Sequence, residues 1–258
     1  MRRIALAAIP SILCGILHAQ TPVASPLNPA IGFAQRFSIG VESGYSHNSL
    51  ITNISGLTNT VYQSVGGYTL AIPMAYSLRS WVSLYSNFNL TQKNYQYTRT
   101  GSYSGPYEQY RNAYLQLPLA GRFSWGGKLK AFLDVGVYGG YWLTGRVRGA
   151  ELNVLDFSLT SSNVYATNVY NFNEKYQFSS TRDNRFEFGW LVGLGAAYEF
   201  RPGVQGFVEG RNTQALSDQQ KDYMTHQVPR YNQTYTVTAG CLISLRSIAA
   251  LRRKKSGT

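Results

Sequence analysis

The chain is short of most of what soluble enzymes and nucleic-acid binders rely on. Its 258 residues include two cysteines, three histidines and a charged fraction of only 14%. Cys14 lies in the first apolar stretch, and Leu13 stands where a lipid-attachment site needs a small residue. With that stretch removed Cys241 is alone, so no intramolecular disulfide can form. His47 and His226, without a cysteine pair, are too few for a zinc site, and no cofactor is expected. The formal charge of +12 comes with no helix-turn-helix, zinc or RNA-binding motif, which argues against nucleic acid. Beyond the first twenty residues no run of about 18 apolar residues suggests a membrane helix.

What is abundant is apolar and aromatic: 44% hydrophobic residues, 14% aromatic, with 25 glycines and 20 tyrosines. The first residues, MRRIALAAIPSILCGILHAQ, place Arg2 and Arg3 before an apolar core and a small residue at Ala19. They predict a secretory signal over 1–19, cleaved after Ala19. Residues 20–35, with three prolines and no period, read as a periplasmic lead-in. Residues 246–258 form a basic tail, for which lipid phosphates or an acidic periplasmic protein are the nearest partners.

The most regular stretch is Phe186 to Phe200, FEFGWLVGLGAAYEF. Phe186, Phe188, Trp190, Val192, Leu194, Ala196, Tyr198 and Phe200 share one face of a strand, while Glu187, Gly189, Gly193, Gly195 and Glu199 fall on the other. Its length is enough to cross a bilayer as a tilted strand of about 9–11 residues. A closed barrel is the way for strands to span lipid, because every backbone group must be paired there.

The same alternation recurs over 37–46, 68–78, 81–90, 114–123, 129–143, 204–213 and 231–245. Short turns alternate with polar stretches at 47–66, 92–111, 144–185 and 214–230, read as external loops. The expectation is an all-β fold, an eight-stranded antiparallel transmembrane barrel of the outer-membrane type over residues 36–245. Pro73 and Pro118 fall at lumen-facing positions, where a proline normally weakens local pairing.

The inward faces carry Glu42, Asp134, Glu187, Glu199 and Glu209 against Arg122, Lys130 and Arg211. Eight strands leave room for little more than side chains, so these charges are expected to pair as a plug. Glu42, Asp134, Glu209 and Arg211 are expected at one depth, three acids to one base. Tyr95, Tyr97, Tyr103, Tyr107 and Tyr110 give the 92–111 loop a surface that could stack on sugars or grip a protein. His47 and His226, near Ser46, Ser49 and Asp222, are the residues an outer-rim hydrolase would use; no catalytic residue is assigned.

YLQLPLAGRF at 114–123, KAFLDVGVYGGY at 130–141, LVGLGAAYEF at 191–200 and FVEGR at 207–211 resemble the PorT-type family of Bacteroidetes outer-membrane barrels. The resemblance implies the barrel fold and, through the family's namesake, a link to type IX protein secretion. The last strand ends at Leu245, where that family's pattern has an aromatic, and a basic tail follows. A binding or accessory role is therefore the expectation, in a monomer contacting outer-membrane lipid, lipopolysaccharide and secretion-machinery or periplasmic proteins. A small porin-like channel and the rim hydrolase are the alternatives.

Overall fold

A computed structural model describes residues 36–52, 59–101, 104–159 and 165–247. The leader, the lead-in, most of the basic tail and Tyr103 lie outside the described residues. The elements are β1 (Phe37–Thr52), β2 (Thr60–Ser77), β3 (Val82–Gln92), β4 (Asn94–Arg99), β5 (Tyr107–Gly126), β6 (Leu129–Leu159), β7 (Tyr165–Lys175), β8 (Phe186–Arg201), β9 (Val204–Ala215) and β10 (Arg230–Ser244).

These ten segments make eight staves. β3 and β4 are interrupted only at Lys93 and both lie between β2 and β5. The lower part of β6 pairs with β8, while its upper part pairs with β7. The circuit closes where β1 meets β10 in unbroken antiparallel register from Ser38↔Ser244 to Thr52↔Arg230. Below the β6–β7 hairpin every stave has a neighbour on both sides, which is what lipid demands of a spanning sheet; β7, above, pairs with β6 alone among the described residues.

The alternation read from the sequence sorts side chains as expected. Val41, Leu70, Phe88, Leu117, Val137, Leu194 and Val237 are exposed on the outer wall. Trp81, Trp125 and Phe200 ring the end with the short turns, and Tyr45, Tyr68, Phe186 and Tyr235 ring the other, matching the aromatic girdles of outer-membrane barrels. Each proline weakens pairing on one side only: Pro73 stays in register opposite Asn87 and Pro118 opposite Tyr138, but β1–β2 pairing skips from Ile39↔Met74 to Glu42↔Ala71 and β3–β5 pairing from Ser86↔Leu119 to Asn89↔Gln116. The tight β8–β9 turn needs Gly203, which adopts a φ of 76° after Pro202, a pairing that suits a type II turn.

The strands run further than the alternation suggested. Most of 47–66 is the outer ends of β1 and β2, and 92–111 contains β4 and the start of β5. Much of 144–185 is a β6–β7 hairpin. Outside lipid a sheet needs no greasy outer face, so the period-2 signal fades while hydrogen-bond pairing continues. The barrel wall therefore stands above its upper girdle.

Candidate functional site above a sealed lumen

The lower half of the lumen is filled by ion pairs set among aromatic rings. Arg122 lies directly opposite Asp134 across the β5–β6 ladder and donates to it twice, Nε to Oδ1 at 2.8 Å and Nη2 to Oδ2 at 2.7 Å. Its Nη2 also reaches Glu209 at 3.1 Å, and Arg211 donates to the same carboxylate at 2.6 and 3.0 Å. The Arg122 guanidinium is sandwiched between Tyr85 and Phe132, 3.9 and 4.0 Å from the ring centres. Glu42 accepts from the Tyr85 hydroxyl at 2.8 Å and from Asn87 at 3.2 Å. This layer thus holds three carboxylates and two guanidinium groups. The expected ratio of three to one is corrected by Arg122, which the β5–β6 register sets opposite Asp134 and so in the same layer.

A second layer lies above it. Lys93, with no exposed surface, donates to Glu187, which also accepts from Tyr138 at 2.9 Å and Asn232 at 2.7 Å. The ammonium stands 5.2 and 5.1 Å from the Tyr114 and Tyr138 ring centres, an arrangement that favours a cation. Between the layers remains a void of about 10 Å³, the size of a single water. Space for the large groups comes from β8: a Cβ at Gly189 would meet Tyr138 at 2.8 Å, at Gly193 Glu209 at 2.4 Å, and at Gly195 Phe132 at 2.3 Å.

Two residues expected in the plug lie elsewhere. Lys130 and Glu199, 3.8 Å apart and each about one-third exposed on the side chain, stand at the lower mouth. Water reaches them there, so they are not part of the buried network. The alternation places Tyr85 and Tyr138 inward, as they are found, whereas Asn232 is not singled out from the sequence. Lys93 fell within the presumed loop, although Tyr85, Asn87 and Asn89 already set the inward parity that leads to Thr91, Lys93, Tyr95, Tyr97 and Arg99.

Above the second layer the wall encloses a cup of about 340 Å³. Tyr95, Tyr97 and Tyr110 line it together with Tyr62, Trp142 and Tyr176. Tyr107 is paired to Ala150 on the strand below the connection and does not line it. The tyrosines thus project from strands and not from a loop, so their positions are fixed by the ladder. Tyr95 and Tyr110 stack with centroids 4.8 Å apart, and Tyr114, Trp142 and Tyr176 form a stacked floor at 5.8 and 5.0 Å. Glu108 anchors the wall from behind, accepting from the hydroxyls of Tyr97 and Tyr110. Burial, then the bond to Asp183, pushes the Tyr176 phenol up to about 12. Burial also raises Tyr95, Tyr97 and Tyr110, so the cup presents neutral phenols throughout the physiological range.

The residues considered for a hydrolase are not assembled. Ser46 points into the lumen and donates to the Gln92 carbonyl at 2.7 Å, whereas His47, next in the strand, is exposed on the opposite face. Ser49 bonds Ser64 at 2.6 Å. His226 is exposed in the connection before β10 with a φ of 60°.

Among solved structures the fold is similar to the Neisserial surface protein A, at 10% identity, 80% of this chain and 96% of that one, with a TM-score of 0.40. It is likewise similar to OprG from Pseudomonas aeruginosa, at 10% identity, 81% and 96% coverage, TM-score 0.43. A third likeness is the outer membrane protease OmpT from Escherichia coli, at 9% identity, 84% and 99% coverage, TM-score 0.44. A comparison with curated proteins found no match. The family model described as an outer membrane protein beta-barrel domain matches residues 23–220. The chain belongs to that family of outer-membrane β-barrels.

Proposed function

We propose that this barrel does not conduct and works by binding at its outward mouth, in the outer membrane of a bacterial cell. The observation that carries the reading is the pairing of a sealed lumen with an open cup. The Lys93–Glu187 layer and the Arg122–Asp134–Glu209–Arg211 layer fill the bore, and the cup of about 340 Å³ opens above them. Its size falls in the range of about 300–1,000 Å³ usual for small-ligand sites. Liposomes carrying the reconstituted chain should swell in small sugars no faster than protein-free liposomes. Rapid swelling would favour the porin-like alternative.

An accessory place in type IX secretion forms the finer part of this reading. It is supported by the PorT-type likeness of 114–123, 130–141, 191–200 and 207–211, and by a cavity of about 270 Å³ at the lower mouth, lined by Arg79, Lys130 and several serines, where a periplasmic partner could dock. Deleting the gene should then strip many cargo proteins from the cell surface and retain them in the periplasm. An unchanged surface proteome would remove secretion from the account and leave the binding role. Export by the 1–19 leader, a monomeric state, and contacts with outer-membrane lipid and lipopolysaccharide belong to the same proposal. A mature mass beginning at Gln20 is the outcome expected for the leader.

A further inference from the structure

We propose that the ligand of the outer cup is an acidic saccharide; this rests on the binding role above and names the class of molecule bound. Three observations converge on it.

The first is charge. Arg99, Arg182 and Arg230 line the cup against a single lining carboxylate, Asp183. Asp183 is already committed, accepting from Tyr176 at 2.9 Å, from the Ser179 amide at 2.8 Å and from Arg182 at 3.3 Å. Among the described residues Arg99 and Arg230 enter no ion pair. Their guanidinium forks suit a carboxylate, sulfate or phosphate, which they can hold through charge-assisted bonds.

The second is an unpaired donor on a largely buried side chain. Tyr95 is only 3% exposed and lines the cup. Its hydroxyl has no hydrogen-bond partner among the described residues, while the Arg230 charge acts upon it. The hydroxyl therefore opens into the cup as an unpaired donor, and a ligand oxygen between Tyr95 and Arg230 would accept from it.

The third is what the lining omits. It contains aromatic rings, arginines, glutamines, Asp183 and one threonine, with no aliphatic side chain. A fatty chain or a hydrophobic peptide anchor would find no matching surface there. A sugar ring matches it, with an apolar face for Tyr and Trp and hydroxyls for polar neighbours. Gln219 donates to Tyr114 at 3.0 Å, which orients its amide and leaves the oxygen to accept from such a hydroxyl. The concave shape also suits a small ligand better than a flat protein face.

The test is calorimetric titration of the full mature chain in lipid nanodiscs with trigalacturonate, with galactotriose bearing a 6-sulfate or 6-phosphate, and with plain galactotriose. At least one acidic probe should bind about tenfold or more tightly than the neutral one, and added salt should erode the difference. Arg230→Gln should weaken that acidic probe about tenfold and the neutral one far less, so that the gap between them narrows, while Arg201→Gln at the opposite end changes neither. Heat-modifiable gel migration confirms that each variant is folded. Equal binding of neutral and acidic probes, no binding of any, or indifference to Arg230→Gln would overturn the proposal. Displacement of the bound probe by lipopolysaccharide would identify the saccharide as a membrane one, and failure to displace would identify a soluble one; both keep the class. A chain that passes small sugars through liposomes loses the binding reading itself. A sealed chain that ignores charge loses only the ligand class.

Discussion

Arg122→Met is expected to destabilise the reconstituted barrel by about 3–5 kcal/mol, the usual cost of leaving one partner of a buried ion pair alone. Methionine keeps a flexible apolar stem between Tyr85 and Phe132, so packing changes little. Asp134, with no exposed surface, would lose both of its bonds to Arg122, and Glu209 would keep only Arg211. Adding Asp134→Leu should recover most of the loss, because replacing both members of a buried pair with apolar groups is often close to neutral. The double-mutant cycle therefore carries a large favourable coupling. Urea unfolding in lipid vesicles measures it. A single substitution costing no more than that of an exposed arginine such as Arg111, within about 0.5 kcal/mol, would contradict the pairing.

Gly193→Ala should cost about 1–3 kcal/mol although it adds only a methyl group, in line with overpacking of a filled interior. The new Cβ would lie 2.4 Å from Glu209 Oε1, and that carboxylate cannot step aside without releasing Arg211 or Arg122. In a Glu209→Ala background the methyl has space, and its added cost should vanish. Ala196→Val, on the lipid-facing side of the same strand, should stay within about 0.5 kcal/mol. Equal effects at Gly193 and Ala196 would mean that the lumen is not packed as described.

The two substitutions also mark what could be read from the chain alone. The faces of β8 were legible because fifteen residues alternate without a break, and the glycines opposite the greasy face prove to be the space that Tyr138, Glu209 and Phe132 occupy. Arg122 and Asp134 were legible as lumen charges, and the short β5–β6 turn sets them opposite each other. Lys93 and Glu187, 94 residues apart, meet only across the closed bore, which no local pattern reports. The outer halves of β4 to β7 were read as loops because beyond the membrane both faces of a strand are wet, and polarity no longer distinguishes strand from coil. Continuing the odd-numbered inward parity of β3 would have placed Tyr95, Tyr97 and Arg99 on the inner wall. The assignment of Lys130 and Glu199 to the plug failed for a different reason: inward-facing is not the same as buried at the end of a barrel.

The sealed lumen is the claim on which both the binding role and the ligand class depend. Single-channel recording across a planar bilayer containing the folded wild-type chain tests it most directly. The account predicts a baseline indistinguishable from lipid alone, because two layers of paired charge and aromatic side chains fill the bore. Stable, ohmic conductance steps from the wild-type chain would contradict it.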